Sequence, residues 1–70
     1  MKVFKIDSEY ITITQFLKAN DYISSGGEAK YFLAENDCYL NGVKITERGK
    51  KIRNYDQVII LNDTYMIKND

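Results

Sequence analysis

The sequence has no histidine, no proline and no tryptophan, and it has a single cysteine. Without histidine there can be no Ser/His/Asp or Cys/His nucleophilic site, no imidazole proton shuttle and no histidine metal ligand. One cysteine can neither close a disulfide within the chain nor build a thiolate zinc site. We therefore expect no metal, no cofactor and no catalysis of these kinds.

Disulfides and long apolar runs are missing as well. A secreted domain of this size usually needs several disulfides to supplement its small core, so a lone Cys38 predicts a cytoplasmic protein. No stretch approaches the roughly 18 consecutive apolar residues of a membrane span. The first residues lead into Asp7 and Glu9 instead of the apolar region of a signal peptide, so we expect no membrane partner.

The 70 residues suffice for one small domain with a thin core and a surface site, which favours a binding module over an enzyme. Ten basic residues balance ten acidic ones, yet positions 44–53 hold five bases against the single acid Glu47, a local balance of +4. The five bases of this basic segment are Lys44, Arg48, Lys50, Lys51 and Arg53. Such a concentration is the usual footprint of a phosphate-backbone partner, and the alternative is a solvated loop that serves solubility.

The first half of the chain predicts one strand and two helices. Residues 1–7 alternate basic and apolar side chains, which indicates a short edge strand with lysines that blunt the edge. Thr12 and Gln15 fit a capping box at the start of a helix over residues 13–19. A second box at residues 25–28 precedes another helix, which should end near Asn36 because asparagine tolerates the left-handed conformation.

The second half predicts sheet. Asn41 and Gly42 form the strongest short-range hairpin signal, because both central residues of a type I′ turn have positive φ. Asn62 and Asp63 indicate a second hairpin. The predicted strands are residues 38–40, 43–45, 57–61 and 64–68. The order predicts an α+β class, with two short helices packed on a small antiparallel sheet.

Several segments resemble a known family when they are taken together in this order. They are residues 11–18 (ITITQFLK), 24–30 (SSGGEAK), 39–42 (YLNG), 48–52 (RGKKI), and Asp56 before Val58. They resemble the S-four RNA-binding domain, the αL motif named after ribosomal small-subunit protein four, in its short stand-alone bacterial form, the YaaA-like proteins. The resemblance implies a single RNA-binding domain over residues 1–70, with a motif core at about 12–60, that presents basic residues to structured RNA.

The sequence departs from the wider family at two places. Many members carry an arginine where this chain has Gly26, and most have Gly-Asp where this chain has Tyr55 and Asp56. The first difference removes one side chain that would contact RNA, so the second helix would receive RNA through its backbone. The second difference concerns only a turn before a strand.

The start of the second helix is one predicted contact region. Free backbone amides and about half a positive charge favour an anion there, and Gly26 and Gly27 let a phosphate approach the backbone next to Ser25. Lys30 lies one turn further along and adds a full charge. Alternatively, the glycines only ease the turn and Lys30 is solvated.

The basic segment is the other predicted contact region. Four of its bases lie in a predicted flexible loop, in which Gly49 lets the backbone curl, and they are Arg48, Lys50, Lys51 and Arg53. Lys18 can extend this surface, although the helix dipole also explains a base near the end of the first helix. Tyr31 lies off the apolar face and is the one aromatic residue expected to contact RNA. The other aromatic side chains and Cys38 fit core or half-buried strand positions.

Two other function classes stay open. A β-grasp module shares the Asn-Gly turn and a late Asp-x-Val strand, but sulfur carriers of that fold end in Gly-Gly, whereas this chain ends with Lys68-Asn69-Asp70. This leaves a β-grasp-like protein-interaction module as the alternative. An enzyme with paired carboxylates is disfavoured, because capping explains the scattered acids. We expect a non-catalytic protein that binds structured ribosomal or transfer RNA, alone or with a ribosomal particle or protein partner, and no small-molecule substrate.

Overall fold

The computed structural model describes residues 1–69. This part of the chain contains seven short strands and two short helices. The strands are β1 (Lys2–Ile6), β2 (Tyr10–Thr12), β3 (Cys38–Leu40), β4 (Val43–Lys44), β5 (Lys51–Arg53), β6 (Gln57–Ile60) and β7 (Asp63–Asn69). The helices are α1 (Ile13–Ala19) and α2 (Ala29–Glu35), and a 3₁₀ turn (Gly26–Glu28) leads into α2. The predicted α+β class is confirmed.

The main sheet has the order β1-β7-β6-β3-β4. All neighbouring strands are antiparallel except β1 and β7, which run parallel. The sheet is therefore mixed, and the prediction of an antiparallel sheet was wrong in this one pairing. No turn joins β1 to its neighbour, so no local signal in the sequence specifies its direction. The predicted edge position of β1 is confirmed.

A separate ribbon of β2 and β5 was not predicted. Its antiparallel register pairs Tyr10 with Arg53, Ile11 with Ile52, and Thr12 with Lys51. Ile52 is fully buried, whereas Lys51 and Arg53 on either side of it are exposed. The placement of Lys51 and Arg53 in a loop was therefore wrong, because three-residue strands are too short for an alternating pattern to reveal them.

Helix α1 follows its predicted bounds and has its predicted cap. The Thr12 hydroxyl accepts a hydrogen bond from the Gln15 amide at 3.2 Å, and the Gln15 side-chain oxygen accepts one from the Thr12 amide at 2.8 Å. Phe16 on the buried face is fully enclosed, and its ring packs edge-on against Phe4 and Tyr65 at centroid distances of 4.9 Å. This packing fixes α1 on the main sheet.

Helix α2 ends at Asn36, as predicted, but by another mechanism. Asn36 has a φ of −129°, so the expected left-handed residue is absent from this position. Its side-chain amide instead donates to the Phe32 carbonyl oxygen at 3.1 Å.

Cys38 at the start of β3 is fully buried, as predicted. Its burial and, to a smaller extent, the negative charge of Asp37 raise the pKa of its thiol to about 11.

Besides Asp21 after α1, which has a φ of 61°, three turns place residues in the left-handed region. Asn41 and Gly42 have φ values of 50° and 86°, which confirms the first predicted hairpin. The second hairpin turns at Leu61 (φ 56°), one residue earlier than predicted, because Asp63 already pairs within β7. Tyr55 has a φ of 68° and is 65% exposed, which rules out the half-buried position expected for it. Within residues 1–69, no helix is long and apolar enough to cross a membrane.

Candidate nucleic-acid interface

The backbone of the basic segment is attached to the start of α1. The Ile13 amide donates to the Lys50 carbonyl oxygen at 2.8 Å, and the Thr14 hydroxyl donates to the Arg48 carbonyl oxygen at 2.7 Å. The first amides of a helix have no acceptor within the helix, so the basic segment supplies one for α1. Arg48 and Lys50 therefore extend from a positioned backbone and not from the flexible loop expected from the sequence.

Thr14 also lies against the start of α2. A Cβ atom added to Gly26 would be 3.7 Å from the Thr14 methyl carbon, an ordinary van der Waals distance. Lys18 is four residues after Thr14 on α1, hence on the same side of the helix, and it is exposed. The fold thus brings Arg48, Gly26 and Lys18, three of the predicted contact residues, to the surroundings of one threonine.

The Glu28 carboxylate occupies the turn before α2. Its Oε2 atom accepts hydrogen bonds from the Ser24 hydroxyl at 2.6 Å, the Ser24 amide at 3.0 Å and the Ser25 amide at 2.8 Å. These bonds lower the pKa of Glu28, and the bond from the Ser24 hydroxyl has the largest effect. The Ser25 hydroxyl donates to the same oxygen at 3.2 Å, so a phosphate would compete with Glu28 for Ser25.

The two glycines after Ser25 are accessible. A Cβ atom on Gly27 would meet nothing within 4 Å, and Gly27 is exposed. Lys30 follows one turn later on α2 and is exposed. Its Nζ atom lies 5.9 Å from the ring centroid of Tyr31, which is 64% exposed as the sequence predicted. Gly27 is therefore open to solvent, whereas the Ser24 and Ser25 amides beside it are already bonded to the Glu28 carboxylate.

The ribbon carries two further bases of the segment together with an aromatic ring. The Lys51 Nζ atom lies 4.7 Å and the Arg53 Cζ atom 5.7 Å from the ring centroid of Tyr10. Sequence reasoning missed Tyr10, because its position depends on the pairing of two three-residue strands. Only knowledge of that register would have placed it beside Lys51 and Arg53.

Lys44 lies apart from these groups, on β4. Its ammonium group is 3.3 Å from the Asp37 carboxylate, which offsets part of its charge. Lys44 and Lys50 nevertheless border the same surface groove, with Glu47 between them in sequence. Lys44 therefore marks the margin of the basic surface.

The chain matches a family model described as S4 domain over residues 4–68. It belongs to the S4 domain family. A curated relative, the probable ribosome maturation protein RlbA of Bacillus subtilis (strain 168), is 49% identical over 47 residues. That match covers 67% of this chain and 66% of the relative, so the chain spans slightly less than two thirds of the length of the relative. The resemblance seen in the sequence is confirmed, and it replaces the β-grasp-like alternative.

In this S4 domain, the surface around Thr14 and Tyr10 includes ammonium and guanidinium donors, together with the carboxylates of Glu28 and Glu9. Such donors bind phosphate oxygens through short, charge-assisted hydrogen bonds. No group of three or more His, Cys, Asp or Glu side chains that could hold a metal ion occurs in residues 1–69. The basic side chains are therefore the groups that this surface offers to an anion.

Proposed function

We propose that this S4 domain is a non-catalytic RNA-binding protein with a ribosome-related role, and that its ligand is structured RNA. We call the proposed contact surface the RNA face. It comprises Lys18, Ser25, Gly26, Gly27, Lys30, Tyr31, Lys44, Arg48, Lys50, Lys51 and Arg53. The observation that supports it most is the attachment of the basic segment to α1 by the Ile13 and Thr14 hydrogen bonds.

A positioned basic segment suits a structured ligand better than a disordered one. Because the backbone of Arg48 and Lys50 is already fixed, less conformational entropy is lost when these side chains contact phosphates. Lys18 and Lys30 approach from two helices, so the cations are spread over a surface. Phosphates held at fixed positions by a folded RNA can match such a surface, whereas those of a flexible strand must first be ordered.

The relative supports a ribosomal ligand. The Bacillus subtilis protein is named as a probable ribosome maturation protein, and it shares 49% identity with this chain over 47 residues. We therefore propose ribosomal RNA, free or within a ribosomal particle, ahead of transfer RNA.

Salt dependence tests the proposal directly. We would titrate the protein with a stem-containing ribosomal RNA fragment and with an unstructured strand of matched length, from low to physiological salt. Four to six phosphate contacts predict a log-log slope of roughly −3 to −5. A flat slope, or equal affinity for the two RNAs, would contradict the proposal.

Two double variants that each remove two positive charges test whether RNA binds at the RNA face. Lys50→Ala with Lys51→Ala should weaken RNA binding by about tenfold and make the salt slope shallower by about two units. Lys5→Ala with Lys68→Ala removes two charges from β1 and β7 and should leave both quantities nearly unchanged. Circular dichroism should show that both variants fold. Equal losses from the two pairs would mean that general charge, and not this face, attracts the RNA.

A further inference from the structure

One aromatic ring on the ribbon has two cations beside it. Tyr10 is 38% exposed, and its ring centroid lies 4.7 Å from the Lys51 ammonium nitrogen and 5.7 Å from the guanidinium carbon of Arg53. Lys51 and Arg53 are two residues apart on β5, hence on the same side of the strand, where their charges repel each other. The negative face of an aromatic ring attracts both and offsets this repulsion.

The ring is attached to a strand and not to a mobile loop. Tyr10 lies directly opposite Arg53 in the register of β2 and β5. The next pair, Ile11 with Ile52, has its side chains on the other side of the ribbon, where Ile52 is fully buried and Ile11 packs against the core. The Ser8 hydroxyl donates to the Tyr10 carbonyl oxygen at 2.8 Å and further restrains the backbone. An aromatic side chain held in this way needs little ordering before it contacts a ligand.

We propose that Tyr10 is a stacking surface for an unpaired nucleobase, while Lys51 and Arg53 contact the phosphates next to that base. The inference rests on the proposed RNA binding and deepens it by naming the RNA class, a stem interrupted by a loop or bulge. A base inside an uninterrupted duplex is stacked on its neighbours and unavailable, whereas unpaired bases stack on aromatic side chains and guanidinium planes. A base that covers the ring displaces the Lys51 ammonium group, which then pairs with a phosphate.

Tyr31 provides an internal comparison. It is more exposed than Tyr10, at 64%, but has a single cation near its ring, Lys30 at 5.9 Å. Stacking at Tyr31 would therefore bring one phosphate contact, and stacking at Tyr10 would bring two. The structure favours Tyr10 over the aromatic residue that the sequence had singled out.

Two stem-loop RNAs of equal length test the inference, one with adenines in the loop and one with abasic nucleotides there. Both carry the same phosphates, so their difference in affinity reports contacts to bases. The wild-type protein should prefer the adenine loop by about fivefold or more. Tyr10→Leu should abolish this preference, and Tyr10→Phe should keep it, as should Tyr55→Leu at an exposed tyrosine outside the RNA face. Tyr10→Leu should leave the affinity for the abasic loop unchanged. If Tyr10 only positioned Lys51 and Arg53, its loss would weaken binding to both loops.

Fluorescence of a 2-aminopurine base in the loop gives a readout that needs no variant, since stacking on tyrosine should quench it. Equal affinity of the wild type for the two loops, or a preference that survives in Tyr10→Leu, would overturn the stacking role while RNA binding stands. A wild type that binds neither stem-loop would overturn the proposed RNA binding, and the inference would fall with it.

Discussion

The hydroxyl of Thr14 donates a 2.7 Å hydrogen bond to the carbonyl oxygen of Arg48, 34 residues later in the sequence. The methyl group of the same threonine borders Gly26 at the start of α2. A single side chain of α1 thus relates two regions of the RNA face that the sequence predicted separately. The relative placement of these regions therefore depends on α1.

Thr14→Val should separate the two contacts of this residue. Valine keeps the methyl group next to Gly26 but lacks the hydroxyl, so the Arg48 carbonyl oxygen loses its donor. We expect unfolding free energy to fall by about 1 kcal/mol, and RNA affinity to fall because the basic segment is less restrained. Thermal unfolding and an RNA titration measure the two effects. Thr46→Val, at an exposed threonine of the basic segment, is the control, and an equal response of both variants would contradict the assigned role.

Gly27→Glu should reduce RNA binding. Its side chain would enter open space, so the fold should tolerate the change, and its carboxylate would repel a phosphate at the start of α2. Gly27→Gln has the same shape without the charge and is the matched control. We expect the glutamine variant to bind more tightly than the glutamate variant in a titration at low salt. Equal affinities would leave Gly26 and Gly27 with a turn-forming role alone.

Those parts of the fold that depend on residues close together in the sequence could be predicted from it. The Thr12 and Gln15 box defines α1, and the Asn41-Gly42 pair defines a hairpin, because each signal acts within a few residues. The parallel pairing of β1 with β7 and the β2–β5 ribbon could not be predicted. Both join residues more than 35 positions apart through short strands, and no local periodicity reports such a pairing.

The same distinction applies to the RNA face. Local charge was enough to propose Lys50 and Lys51 as contact residues, because charge is a property of the sequence itself. The roles of Thr14 and Tyr10 arise from contacts across 34 and 43 positions, and neither residue belongs to a motif for anion binding. Residues that organise a surface were therefore harder to find than residues that give it charge.

Tyr55 should be strained, and glycine should relieve the strain. Its φ of 68° places a Cβ atom close to a backbone carbonyl oxygen, which costs roughly 1–2 kcal/mol for residues other than glycine. Tyr55→Ala removes the ring contact with Lys68 but keeps the strain, whereas Tyr55→Gly removes both. We expect the glycine variant to be more stable than the alanine variant by about 1 kcal/mol in chemical denaturation. Alanine and glycine variants of equal stability would show that the turn relaxes.

Acidification should release the cap at the start of α2. The hydrogen bonds from Ser24 and Ser25 lower the pKa of Glu28, so the folded state holds a proton there less readily than the unfolded chain does. Glu28 therefore contributes stability above its ordinary pKa of about 4.3, and this contribution is lost as the pH falls through the lower folded value.

Glu28→Gln tests this dependence. Glutamine offers the serine donors a neutral oxygen, so the variant should melt below the wild type at pH 7, where Glu28 is charged. The difference between their melting temperatures should narrow once the pH falls below the folded pKa, because the wild-type side chain is then neutral as well. Glu35→Gln removes one carboxylate from the other end of α2 and is the matched control. A Glu28→Gln difference that stays constant from pH 7 to the acid limit of folding would show that the ionised carboxylate adds nothing to the cap.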